Sequence, residues 1–466
     1  MKRIAIIGGG ISGLAAAFTI EEQRRAGAPI EYVLFESSPH FGGVIVSERV
    51  ENCLVEAGPD SFLTEKPWAA DLCRKLGLAD QLIGSNDAQR KTYILFNGKL
   101  VALPDGLMFM VPTKVMPTLM SPLFSFRTKL QMVREWFHTS KQANADETVA
   151  AFVERHYGAE MVARLADPLL SGIYGGEASQ LSMRAVLPRF LEMEAMRGSL
   201  GRAMMAARTQ TVPNSARPLF TSLKDGMQHM VDALVDRLSP SALHLSRPVQ
   251  SMRPQERGWL VSAGDESYAF DAVIVATPSH LAATLLQDAS HDLASELRAI
   301  PYSSSVTVTL AYDQNVRAML PPGFGFLVPH SEGKRLLAAT FVHNKFSDRA
   351  PADRALIRCF LGGSRDQHIL HSSDEEIVRI VREELQQIIS LVAEPLFTRV
   401  YKWNAAMAQY IVGHLERVER IRHLSQDLPA LALAGNGYRG IGVPDCVRSG
   451  VDAATALSAN YSRNPG

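Results

Sequence analysis

Gly8, Gly10 and Gly13 stand at the spacing G-x-G-x-x-G, between an apolar run from Ile4 to Ile7 and an alanine-rich stretch beginning at Ala15. In that context each glycine has a separate task. The first permits a tight turn, the second lets a pyrophosphate approach the backbone, and the third lets strand and helix touch. A helix starting at this point offers unpaired N–H groups and about half a positive charge to phosphates. The whole loop, Gly8, Gly9, Gly10, Ile11, Ser12 and Gly13, is therefore a candidate dinucleotide site. A second apolar run, Ile30 to Phe35, ends in Glu36, 23 residues after Gly13, followed by Ser37. A carboxylate there can accept hydrogen bonds from an adenosine ribose. The paired glycines Gly42 and Gly43, next to Val44, give a second place where backbone can press against a ligand.

The elements that must position these residues are a strand, a glycine turn, a helix and a second strand. A similar turn recurs late in the chain, where Leu431 to Ala434 reads as a strand. It is followed by Gly435-Asn436-Gly437-Tyr438-Arg439-Gly440-Ile441-Gly442-Val443 and a helix from Val447 to Leu457. Between the two, 271–278 reads as a fully buried strand, and 244–249 and 259–261 read as further strands. With 466 residues the chain is too long for one ordinary core, so two or more domains are expected, interleaved in sequence.

Lys+Arg and Asp+Glu balance at 48 each, which removes any global charge argument for a nucleic-acid partner. The four cysteines, Cys53, Cys73, Cys359 and Cys446, are scattered, so neither a disulfide framework nor a metal site is expected. A reducing, cytoplasmic compartment is the default, and the first strand begins too early to leave room for a leader peptide. No apolar run reaches the roughly 18 residues of a membrane-spanning helix.

Residues 68–83 read as one helix, with Trp68, Leu72, Leu76 and Leu82 on one side. Asn97-Gly98 marks a hairpin. From Leu103 to Phe126 the chain is apolar and methionine-rich, broken by Pro104, Pro112, Pro117 and Pro122. It suits a greasy cavity wall, a membrane-surface contact or ordinary core. From Phe126 to Met205 the pattern is helical, with a break at Asp167-Pro168 and a glycine turn after Tyr174. Strands are expected at 304–312, 335–341, 355–362 and 399–404, and an amphipathic helix at 374–391.

Taken together, G-x-G-x-x-G, Glu36, Gly42-Gly43 and Gly58-Pro59 resemble the FAD-binding opening of the flavin-containing amine oxidase superfamily. Many amine oxidases carry arginine after the paired glycines, where this chain has Val44. Pro168 to Gly176, Gly323-Phe324-Gly325-Phe326-Leu327-Val328-Pro329 and the ending Gly437 to Cys446 resemble the protoporphyrinogen and coproporphyrinogen III oxidases, and the likeness runs over essentially the whole length. The resemblance implies an α/β plus α+β protein. A discontinuous Rossmann-like (GR2-type) FAD domain would span 1–65, 215–295 and 395–466. An inserted antiparallel-sheet substrate domain would span 66–100 and 296–394, and a helical domain 101–214.

It further implies FAD contacts at Gly58, Pro59, Asp60, Ser61, Val249, Trp403, Gly435, Ile441, Gly442 and Val443, besides those above. The reaction implied is the six-electron oxidation of a porphyrinogen by molecular oxygen in heme biosynthesis, with the flavin taking the hydride and no certain catalytic side chain. Arg90 and Lys91 are candidates for substrate propionates, and Gly172 and Leu327 for the cavity wall. Protoporphyrinogen IX and coproporphyrinogen III both remain open, as do hand-off to a ferrochelatase, contact with a cytoplasmic membrane face, and a monomer or homodimer. Two other readings share the FAD loops: an amine oxidase or desaturase-like enzyme, and an escort-type binding protein without redox chemistry.

Overall fold

The computed structural model describes residues 1–108, 110–140, 145–210 and 217–462. At its centre is a five-stranded parallel sheet in the order Leu243–His244, Ile30–Phe35, Lys2–Ile7, Ala272–Val275, Leu431–Leu433. Lys2–Ile7 lies in the middle, with Ile4 paired to both Tyr32 and Ala272. Its continuous apolar sequence follows from this position, because both faces are covered. Ile4 and Ile6 point toward the helices Ile11–Arg25 and Val443–Ser462, while Ala5 and Ile7 pack toward Trp259 and the antiparallel sheet Val249–Pro254, Trp259–Ala263, Glu266–Phe270. The two helices cross in direct backbone contact. A Cβ on Gly450 would lie 2.0 Å from the Ser12 carbonyl oxygen, and Ser12 Oγ donates to the Cys446 carbonyl at 2.9 Å.

A seven-stranded sheet has the order Phe397–Ala408, Tyr302–Asp313, Arg354–Gly362, Ala338–Phe341, Gly325–Leu327, Thr92–Phe96, Lys99–Ala102. It departs from the antiparallel expectation at one pair, since Gly325–Leu327 runs parallel to Thr92–Phe96. That pairing joins two segments more than two hundred residues apart, where no hairpin dictates direction. The Asn97-Gly98 turn forms as expected, with φ of 51° and 72° at its two residues, as a hairpin of right-handed twist requires. Helix Asp374–Ile389 covers one face through Ile377, Val381, Leu385 and Ile388, all buried, and Ser373 caps its start.

Short helices between Val115 and Gln210 build the third cluster, centred on Phe152, Tyr157, Met161 and Leu165. Pro117 falls in the first turn of Val115–Met120, where no intrahelical N–H is needed.

Four expectations need correction. The helix expected over 68–83 is Trp68–Lys75 only, because the chain turns at Gly77 with φ +84° before a short strand, Leu82–Gly84. Residues 244–249 are not one strand: left-handed Ser246, φ 52°, separates Leu243–His244 in the parallel sheet from Val249–Pro254 in the antiparallel one. The break at Asp167-Pro168 is absent, since a π-helical turn, Val162–Ala166, leads into helix Asp167–Tyr174 and places Pro168 in its opening turn. The last helix starts at Val443 rather than Val447, with Pro444 inside its first turn.

Candidate functional site

At the opening loop the glycines divide their work as their spacing suggested. A Cβ on Gly13 would sit 1.9 Å from the Gly8 carbonyl oxygen, and one on Gly8 would sit 2.8 Å from that of Ala276. A Cβ on Gly10 would meet nothing within 4 Å, so here the backbone faces open space. Gly10 is also the N-cap of Ile11–Arg25, with no capping side chain and no acidic residue in the first turn. The N–H groups of that turn are left for an anion.

Gly42 pairs with Gly10 in an isolated parallel bridge, its N–H donating to the Gly9 carbonyl at 2.8 Å. Gly43 backs onto Gly10, with a Cβ there 3.4 Å from the Gly10 Cα. Glu36 accepts from the Gly9 N–H at 2.6 Å, from the Ser38 N–H at 2.8 Å and from Ser37 Oγ at 3.2 Å. Val249 is drawn to the same end, because the Arg247 N–H two residues earlier donates to the Glu36 carbonyl at 2.9 Å. These residues fit the pyrophosphate and adenosine of FAD: an open cradle, free helix N–H groups and one carboxylate beside them.

Val44 and Gly58 lie where two segments cross so closely that a Cβ on Gly58 would be 1.8 Å from the Val44 carbonyl oxygen. The segment Ala57 to Ser61 is clamped by the seven-stranded sheet. The Ala57 carbonyl accepts from Thr307 Oγ1 at 2.9 Å, Trp403 Nε1 at 3.0 Å and Arg358 Nη2 at 3.2 Å. Asp60, two residues past Gly58, takes Lys345 Nζ at 2.9 and 3.0 Å, and that ammonium also reaches Ser61 Oγ at 3.1 Å. Burial alone would raise the Asp60 carboxyl, but Lys345 and Arg358 outweigh it and hold it well below the usual carboxylate range.

The late glycine loop closes on the opening one. Gly435, φ +128°, donates its N–H to Ser449 Oγ at 3.1 Å. Tyr410 Oη donates to the Asn436 carbonyl at 2.6 Å and accepts from the Gly440 N–H at 2.8 Å. The Tyr410 ring stacks on His414 at 3.9 Å, and His414 Nε2 donates to the Tyr438 carbonyl at 2.9 Å. Ile441, Gly442 and Val443 thereby enter the last helix, whose first-turn Asp445 is paired to Lys66 at 2.6 Å.

Among the residues singled out for substrate, Gly172 and Leu327 are brought together: a Cβ on Gly172 would be 3.5 Å from Leu327 Cδ2. Leu327 packs on the buried core of the helical part, as do the partly buried Leu169, Tyr174, Tyr302 and Ile441. Arg90 and Lys91 are exposed. The Lys91 carbonyl accepts from the Phe324 N–H, whereas Leu327 pairs with Ile94. That places Lys91 roughly 10 Å along the strand from the Gly172 contact. Lys345, Arg358, Thr307 and Tyr410 were not legible as site residues, because each occupies a strand, a short helix or a loop with no motif around it. Among the described residues no group of three His, Cys, Asp or Glu could hold a metal ion.

The model of the family described as flavin containing amine oxidoreductase matches residues 11–458. The chain belongs to this flavin-containing amine oxidoreductase family. As a member it uses FAD, and the glycine loop, Glu36 and Gly42-Gly43 are the residues whose geometry fits that cofactor. Within the family it is 31% identical over 470 residues to "Coproporphyrinogen III oxidase" of Bacillus subtilis (strain 168), covering 99% of each chain. It is 29% identical to "Protoporphyrinogen oxidase 2, chloroplastic/mitochondrial" of Arabidopsis thaliana, covering 97% of this chain and 93% of the other. A crystal structure from Exiguobacterium sp. 255-15 shares 29% identity with a TM-score of 0.89, covering 98% of this chain and 99% of that one.

Proposed function

We propose that this family member is an FAD-dependent porphyrinogen oxidase of heme biosynthesis, with coproporphyrinogen III as its preferred substrate and molecular oxygen as acceptor. The observation that carries the reading is the Gly172–Leu327 contact. It joins the helical segment to the seven-stranded sheet in one apolar wall, and Ile441, in the loop before the last helix, packs on the same core as Leu327. Coproporphyrinogen III is favoured because the relatives from Bacillus subtilis and Staphylococcus aureus, 31% and 28% identical over nearly the full length, bear that name.

In this reading the adenosine end lies against Glu36 and Val249, the pyrophosphate over Gly10, and the isoalloxazine between Gly58-Pro59 and Gly435 to Val443. When bound, FAD supplies the hydride acceptor. The protein positions the macrocycle, excludes water with the apolar wall, and aims the N-terminus of Val443–Ser462 at the ring, where it favours negative charge. The division into cofactor, substrate and helical parts at the boundaries given above belongs to the same proposal. Anaerobic mixing with each porphyrinogen tests it: the flavin absorbance should bleach, and porphyrin fluorescence should appear once air is admitted. No bleaching with either substrate would refute it.

Peripheral contact with a membrane is a further part of the proposal. Met116, Met120, Phe126 and Phe137 are 65%, 78%, 82% and 75% exposed, and Leu130 and Val133 extend the same stripe. Exposed Lys114, Arg127 and Arg134 border it. No helix among the described residues is long and apolar enough to cross a membrane, so this contact would lie in the interface.

A further inference from the structure

Beneath the Ala57-Gly58 turn lies a buried charge cluster in which cations outnumber anions. Arg349, Arg358 and Lys345 are 0%, 4% and 9% exposed, and face only two carboxylates, the buried Glu56 and the half-buried Asp60. Asp60 is engaged by Lys345 and Ser61, and Glu56 by Arg349, Ser47 and the Met227 N–H. Arg358 feels the charge of Asp60 but has no carboxylate within ion-pair distance among the described residues, and it is the third cation set against two anions.

It sits mid-strand in Arg354–Gly362, opposite Thr309 on one side and Thr340 on the other. Its Nη2 donates to the carbonyls of Ala57 and Gly58, its guanidinium lies 5.0 Å from the Phe360 ring, and its Nε has no partner. It makes no ion pair among the described residues. A buried guanidinium hydrogen-bonded only to carbonyls, and sharing the charge of Asp60 with Lys345, is costly unless a further anion arrives to face it. The Ala57 carbonyl is already saturated, taking three donors with two lone pairs. The surplus positive charge is therefore presented through the Ala57-Gly58 turn to whatever rests on it.

We propose that Arg358 is an electrostatic positioning residue for the flavin: held behind Ala57-Gly58, it keeps a positive charge against the isoalloxazine and raises its reduction potential. The inference rests on the reading that places the ring at Gly58. It works with the last helix, which brings positive potential from another element. Negative charge gathering on the reduced ring is the anion that the cluster otherwise lacks.

The test uses the FAD-loaded protein and sulfite, which adds reversibly to electron-poor flavins and bleaches them. Arg358→Met should bind sulfite at least about tenfold more weakly than the parent. Its two-electron potential, read against a reference dye, should fall by about 30 mV for each such factor. Arg358→Lys, which keeps the charge, should stay within about threefold on sulfite affinity. If Arg358→Met does not accumulate folded, Arg358→Gln carries the same test, since it retains an N–H for the carbonyls and drops the charge. An Arg358→Met or Arg358→Gln protein that retains FAD with unchanged potential and sulfite affinity would reduce Arg358 to a structural brace and overturn the proposal. A parent protein that holds no FAD would instead sink the reading on which the proposal rests.

Discussion

Ser12 and Cys446 are joined by a 2.9 Å hydrogen bond although 434 residues separate them. The bond is possible because Gly450 lets the last helix lie on the first without a side chain between them. Gly450→Val should therefore force the helices apart, costing about 3 kcal/mol or more by overpacking. Ser12→Ala should cost only about 1 kcal/mol. Thermal melts with and without added FAD would show whether the larger loss also abolishes stabilisation by the cofactor.

Gly10 and Gly13 should part company on mutation. Gly13→Ala drives a methyl into the Gly8 carbonyl and should destabilise the protein whether or not cofactor is present. Gly10→Ala meets open space, so the cofactor-free protein should keep its stability within about 0.5 kcal/mol. Its FAD affinity should nevertheless drop at least about tenfold, or about 1.4 kcal/mol, because the methyl occupies room kept for phosphate. Equal loss of stability in the two cofactor-free variants would contradict this division of labour.

The Gly172–Leu327 contact predicts a substrate effect without a cofactor effect. Leu327→Trp should raise KM by about tenfold or more, through crowding of the apolar wall. The flavin spectrum should keep its parental shape. A changed spectrum with unaltered KM would place Leu327 against the cofactor instead.

Two buried imidazoles make stability depend on pH. Burial, aided by nearby Arg317, pushes His343 down to about 4, and burial likewise brings His414 to about 4. The Leu356 N–H lies 3.1 Å from His343 Nδ1 and can donate to it only while that nitrogen is unprotonated. Above the unfolded value of about 6.5 both states are neutral and nothing is lost. As pH falls from there toward 4 only the unfolded imidazoles bind protons, so stability declines by up to about 3 kcal/mol for each residue. Urea melts at about pH 7 and about pH 5 should separate accordingly, and a His343→Gln/His414→Gln protein should show a flatter dependence.

The exposed stripe should be separable from catalysis. Phe126→Ser with Phe137→Ser should abolish sedimentation with anionic phospholipid vesicles while leaving thermal stability within about 1 kcal/mol, since both rings are already in water. No sedimentation by the parent protein would remove the membrane from the account.

The cofactor half of the site was legible because its requirements are local. Gly8, Gly10 and Gly13 act through backbone geometry and Glu36 through its carboxylate, all within one strand-turn-helix-strand unit, and the late glycine loop repeats the signal. The clamp on Ala57 was hidden for the opposite reason. Thr307, Arg358 and Trp403 come from three strands whose side-by-side pairing no short motif records. Likewise Asp167-Pro168 looked like a helix break because proline forbids an N–H, yet a preceding π-turn removes the need for one.

The parallel sheet has Lys2–Ile7 at its centre and Leu431–Leu433 at its edge. During synthesis the glycine loop thus leaves the ribosome long before the strand and helix that close it. The nascent chain carries half a binding site, with Gly450 and Cys446 still to be made. Capture of the cofactor is then a late event in biogenesis, and a chain stalled before its final hundred residues would fold a glycine turn with nothing to shut it.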